Sequence, residues 1–192
     1  MESKITYFEN PGKENTEAVL RIAKQKAEEL GIRTILVAST TGNTALKAME
    51  AFKGMRVIVV THFTGFAEPN SQEFTEENKK VVQSKGGIIL TTTHAFGGLG
   101  RAMRQGDIPE ATTTYIVGDI VATTLRVFGQ GMKVVCEIAL MAADAGLIPE
   151  GKEVIAVAGT GRGADTVIIL RTATSKRFLD LRALEILAKP RG

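Results

Sequence analysis

Two hydrophobic periods alternate along the chain. Short runs with wholly apolar interiors stand at Ile35–Ala38, Arg56–Thr61, Ile88–Leu90 and Glu153–Ala158, and each reads as a strand buried on both faces. Between them, apolar residues recur every three or four positions, the spacing of a helix with one buried side. Val19, Ile22, Ala23, Ala27 and Leu30 share one face of a helix that Asn15 or Thr16 caps and Gly31 ends. Ala45, Leu46, Met49 and Phe52 mark a second helix running to about Lys53, and Thr75–Ser84 a third with a threonine cap. Tyr115–Phe128 and Met132–Ala145 read as packed helices, Arg101–Gln105 as a short polar piece between, and Phe178–Leu187 as a final helix. Ile5–Phe8 is a short first strand, and β-branched Thr166–Arg171 is expected to pair back as a strand. Strands alternating with helices predict an α/β fold: a three-layer α/β/α sandwich on a mostly parallel sheet, with one antiparallel pair late in the chain. Residues 1–192 read as a single domain.

Composition narrows the function classes. The chain is 44% hydrophobic and 23% charged, with a formal net charge of +3 and no long basic run, which argues for neither nucleic acid nor membrane as a partner. Only 5% of residues are aromatic and none is tryptophan, a poor endowment for stacking single strands. The one cysteine, Cys136, precludes an internal disulfide and suits a reducing cytoplasm. It lies in an apolar helical pattern, so a buried hydrophobe is the expected role. Met1–Thr6 lacks the apolar core of a signal peptide, and the apolar region Tyr115–Ile148 is broken by Asp119, Arg126, Lys133, Glu137 and Asp144. A soluble cytoplasmic domain is expected. The helices from Tyr115 to Ala145 cover the sheet or form a face for a homo-oligomer, and composition does not choose.

Candidate chemistry collects where strands end. In open α/β sheets, ligands sit beyond the carboxyl ends of the strands. Four such ends run into hydroxyl-, glycine- or histidine-rich loops: Ser39–Thr44, Thr61–Gly65, Thr91–Gly98 and Gly159–Asp165. In the first, Ser39, Thr40, Thr41, Gly42, Asn43 and Thr44 stand where a strand hands over to a helix. The unpaired N–H groups of a first helical turn, with its partial positive charge, make an anion site. The alternative is an ordinary cap on a strand-to-helix turn. The loop is neither a P-loop nor a dinucleotide fingerprint. Gly159-x-Gly161-x-x-Ala164 matches the looser dinucleotide pattern, but a β-branched segment follows instead of a helix. A glycine-rich hairpin loop open to a ligand is the better reading, with Arg162 able to pair with a phosphate or planar carbonyl or to stay solvated. His62 and His94 each follow a strand. Either can donate, accept or carry a proton near neutrality, or simply fix its own turn. Neither has an evident carboxylate or cysteine partner in its loop, so no metal site is expected.

Two of these stretches carry a family resemblance. Ile35-Leu-Val-Ala-Ser-Thr-Thr-Gly-Asn-Thr-Ala45 with Val57-Ile-Val-Val-Thr61 is similar to the phosphate loop and next strand of the pyruvate kinase C-terminal α/β domain. Val154-Ile-Ala-Val-Ala-Gly-Thr-Gly-Arg-Gly-Ala-Asp-Thr166 is similar to that domain's late glycine-rich loop. In those kinases the domain binds a regulatory sugar phosphate. The catalytic barrel has no counterpart here, so kinase activity is not implied. The chain more closely resembles the stand-alone pyruvate kinase C-terminal-domain-like family, known mainly from archaea and associated with flavin mononucleotide (FMN) without a settled reaction.

That resemblance implies that Ser39–Thr44 hold the ribityl phosphate. Thr61, His62 and the loop of Gly159, Thr160, Gly161, Arg162, Gly163, Ala164, Asp165 and Thr166 would lie against the ribityl chain and ring. His94, Gly97 and Arg101 are placed nearby by strand order alone. The expected function is a cytoplasmic FMN-binding protein holding a small phosphorylated ligand, with flavin-dependent oxidoreduction as one form of it. The rival is a regulatory module that binds a sugar phosphate without turnover.

Overall fold

A computed structural model describes residues 2–101 and 116–192. Its strands are β1 (Thr6–Phe8), β2 (Thr34–Ala38), β3 (Arg56–Val60), β4 (Ile88–Leu90), β5 (Glu153–Ala158), β6 (Thr166–Arg171) and β7 (Arg182–Pro190). They form one sheet in the order β1-β7-β6-β5-β2-β3-β4. The pairs β1·β7, β2·β5, β2·β3 and β3·β4 are parallel, whereas β6 is antiparallel to both neighbours. One reversed strand therefore sits in an otherwise parallel sheet. The carboxyl ends of β1, β2, β3, β4 and β5 consequently share one edge, and the β5–β6 turn lies on that edge too.

Strand pleat explains the two layers of helices. Residues at odd positions of β2, Ile35 and Val37, face a core built with α1 (Thr16–Leu30), α2 (Asn43–Ala51) and α3 (Glu76–Ser84). The intervening Leu36, with Ile58, Val154 and Ala156, faces the opposite core, under α4 (Val117–Arg126) and α5 (Gln130–Asp144). Leu36, Ile58, Ile155 and Ile168 are wholly buried, and each such side chain contributes about 2 kcal/mol of transfer free energy. The three-layer sandwich is the predicted one. Its helix limits follow the expected signals: Gly31 closes α1 in the left-handed conformation, and the Thr75 hydroxyl accepts the Asn78 N–H to cap α3.

The tail differs from its periodicity. Phe178–Leu187 carries apolar residues at helical spacing, yet residues 182–190 form β7, between β6 and β1. Ala183, Leu184 and Glu185 are good helix formers. The open edges of β6 and β1 offer a hydrogen-bond ladder on both sides of the segment, and that tertiary gain decides its conformation. Only the preceding Ser175–Asp180 turns helically, as a kinked 3-10 stretch. The predicted polar piece 101–105 lies, from residue 102 on, outside the described residues, as does Tyr115.

Candidate functional site

A cavity of about 520 Å³ opens at the shared strand edge, within the roughly 300–1,000 Å³ typical of small-molecule sites. Three of the four strand-end loops and the start of α5 border it, joined by His94 from the fourth loop. Its electrostatics are one-sided. Among the described residues, Lys13, Lys47, Arg101, Arg126, Lys133 and Arg162 line it against one carboxylate, Glu137. Such a site favours an anion.

Ser39, Thr40, Thr41, Asn43 and Thr44 all face the cavity. The Ser39 hydroxyl accepts the Ala45 N–H at 3.2 Å, which fixes the loop against the first turn of α2. Asn43 and Thr44, the first residues of that helix, line the cavity, and the N–H groups of a first helical turn have no acceptor within the helix. Gly42 lies behind this loop. Its φ of 101° is a left-handed conformation, and a Cβ there would come within 2.5 Å of Asn78 Cβ. Asn78, from the first turn of α3, also donates to the Thr41 carbonyl at 2.9 Å. The phosphate-type loop is thus braced from outside by a second helix, a contact with no sequence signal of its own.

The late glycine-rich loop divides in two. Gly159, Gly161, Arg162 and Gly163 line the cavity, and Thr160, Ala164, Asp165 and Thr166 do not. Asp165 is wholly buried. Its carboxylate accepts the Gly12 and Thr160 N–H groups at 3.0 Å each and the Thr166 hydroxyl at 2.7 Å. The Ala164 N–H donates to the Thr16 hydroxyl at 3.0 Å, and Thr166 is covered by α5, whose Gly131 has no room for a Cβ against it. These bonds pin the loop to the segment after β1, which brings Lys13 and Thr16 to the cavity.

His62 and His94 meet, with ring centroids 5.3 Å apart. Phe66 lies 3.9 Å from His62 and 5.2 Å from His94, and Phe63 packs 5.3 Å from Phe66. The Arg101 guanidinium stands 4.1 Å above Phe66, a cation–π contact. His62 has a carboxylate partner from beyond its own loop: Glu73 Oε2 is 2.7 Å from its Nδ1. That bond leaves Nε2 as the nitrogen available to a ligand. The other Glu73 oxygen sits 3.8 Å from Arg162. Thr61 is buried and joins β3 to β4 through its 2.7 Å bond to the Thr91 hydroxyl.

His94 is different. Burial, opposed by Glu137 and reinforced by His62, Lys133 and Arg101, lowers its pKa to about 4. It is a neutral imidazole at pH 7.

On α5, Lys133 and Glu137 form a buried ion pair one helical turn apart. The Phe96 N–H donates to the second Glu137 oxygen at 3.1 Å. Burial pushes the Lys133 ammonium below its usual range, with Glu137 pulling in the other direction. Two opposite charges four residues apart in an otherwise apolar helix were a readable signal for this pair. Cys136 is buried and its thiol is pushed up to about 11, which makes it inert as a nucleophile. Among the described residues, no group of His, Cys, Asp and Glu could hold a metal ion, and no helix is long and apolar enough to cross a membrane.

Comparison with solved structures finds a similar chain in a pyruvate kinase from Cryptosporidium parvum, at 16% identity over 82% of this chain and a TM-score of 0.40. A structure of that organism's enzyme in complex with ADP gives the same identity, coverage and score. This chain spans 23% and 24% of the lengths of those two kinases. The family model for the pyruvate kinase alpha/beta domain matches residues 17–170, from the start of α1 to the end of β6. The chain belongs to the pyruvate kinase alpha/beta domain family.

Proposed function

We propose that the cavity binds FMN, in a cytoplasmic protein whose reaction is flavin-dependent oxidoreduction. One observation carries this reading: a single cationic cavity is lined both by a helix N-terminus with hydroxyls and by a cluster of two imidazoles and a phenyl ring. A phosphate matches the first set. Ser39–Thr44 would hold it through backbone N–H groups and hydroxyls, with Lys47 and Arg162 supplying charge. A flat heteroaromatic ring matches the second, where His62, Phe66 and His94 offer π-faces and ring nitrogens. Bound FMN would supply the electron transfer, and the protein position, polarity and protons. His62 is the candidate proton carrier, because its Nδ1 bond to Glu73 fixes the ring's tautomer and leaves Nε2 for the ligand. His94, held neutral, would act as a hydrogen-bond partner.

The visible spectrum of purified protein tests the reading. A yellow preparation that releases a flavin of monophosphate mass on denaturation supports it. A colourless protein that takes up no added FMN overturns it. The cationic lining also suits the second reading, a regulatory site for a sugar phosphate without turnover, in which case a colourless protein is stabilised against heat by phosphosugars.

A further inference from the structure

Three lysines line the cavity, and one is unlike the others. Lys13 is exposed, and Lys47 is half exposed and paired with Glu17 on the surface. Lys133 has a side chain only 10% exposed, on the first turns of α5, and its Nζ is held by Glu137. Glu137 is equally constrained, because its other oxygen accepts the Phe96 N–H. His94 and Arg101 add to the electrostatic surroundings of the pair. The result is an amine paired with a carboxylate, lining a cavity that Asn43 and Thr44 at the start of α2 also line.

We propose that Lys133 is a carbonyl-reactive amine, and that the cavity accepts a small phosphorylated aldehyde or ketone whose carbonyl carbon reaches its Nζ. This inference rests on the second reading of the site, because the ligand's phosphate would take the loop that the FMN phosphate takes in the first. Labelling of Lys133 is read separately from flavin uptake. A lysine acts as a nucleophile when its surroundings disfavour the ammonium and a neighbouring base removes its proton. Burial provides the first here and Glu137 the second. In the reaction, a proton passes from Nζ to Glu137, and the nitrogen lone pair attacks the carbonyl carbon. Glu137 then returns protons to the carbonyl oxygen, which departs as water. One of the three ammonium protons stays on the protonated imine and two leave in the water. Charge is unchanged, and no oxidant or reductant takes part. The phosphate on α2 would hold the carbonyl in place, converting an encounter into an intramolecular step.

Borohydride trapping on the full chain tests this directly. Pyridoxal 5′-phosphate is the probe, inorganic phosphate the competitor, and peptide mass mapping the readout. The expected result is one adduct per chain at Lys133, lost when phosphate is added and absent from K133R, which keeps the cation beside Glu137. E137Q should trap roughly 100-fold more slowly, the scale of a lost general base. Glyceraldehyde 3-phosphate should label Lys133, with loss of labelling for glyceraldehyde itself. Adducts spread over surface lysines, or no label at Lys133 in the folded wild type, would overturn the proposal. Because wild-type mapping decides the matter alone, poor folding of a variant does not rescue it.

Discussion

The loops after β2 and β5 look alike in sequence and do opposite work. Both follow strands with apolar interiors, both leave the same sheet edge, and both are rich in glycine or small hydroxyl residues. After β2, the chain enters a helix, and five of the six residues from Ser39 to Thr44 face the cavity. After β5, the chain must reverse into antiparallel β6. The last three residues of Gly159–Thr166 turn inward, and Asp165 gathers three donors at once. The element that a loop leads into decides whether the loop's polar groups stay free. A helix leaves N–H groups unpaired, whereas a hairpin needs its own bonds to close.

Removing the clamp should give the largest effect. Asp165→Ala leaves the Gly12 and Thr160 N–H groups without their buried acceptor. At about 1–3 kcal/mol per orphaned group, urea denaturation should show a loss of roughly 4 kcal/mol. A loss below about 1 kcal/mol, the scale of a single ordinary hydrogen bond, would erase the contrast. Next comes Gly42→Val, which forces a β-branched residue to a φ of 101° with its Cβ against Asn78. It should cost about 2–3 kcal/mol and abolish FMN or phosphate binding together, because the brace and the anion loop are one unit.

The loop after β4 extends the contrast through pH. His94 has its folded pKa depressed from 6.5 to about 4, so the unfolded chain binds a proton first as pH falls. Stability from this group is complete above about pH 6.5 and is lost as pH falls toward 4, by up to about 2 kcal/mol after allowance for partial solvent contact. His94→Gln should flatten the stability profile in that window, and an unchanged slope would assign it to other groups. The smallest change is Ser39→Ala. It removes the acceptor for the Ala45 N–H at 3.2 Å and should lower stability by about 1 kcal/mol. A larger fractional effect on FMN affinity than on stability would show that the hydroxyl also serves the ligand.

Most of the fold was legible because its strands are apolar throughout, a pattern that a double-sided sheet requires. Phe178–Leu187 was not. Its local preference is helical, and only the edges of β6 and β1 reveal it as a strand. Within the site, the strand-end loops were picked out from composition and position, and strand order placed His94 nearby, but the contact between His62 and His94 was not legible. Glu73 was missed because a polar linker stands between it and His62, and no spacing rule connects them. Lys13 was missed because it follows β1, a three-residue strand too short to mark its own end as part of the edge. Asp165 was included for its loop, although an aspartate between Ala164 and a buried strand has donors to satisfy before it can serve a ligand.

The proposed phosphate-to-ring arrangement is tested most directly by parallel fluorescence titrations of the protein with FMN and with riboflavin. The account predicts saturable binding of FMN at one equivalent per chain, with riboflavin at least about 10-fold weaker, a difference of about 1.4 kcal/mol. Equal affinity for the two flavins would remove the phosphate from the loop between β2 and α2. Absence of binding for both would remove the flavin altogether.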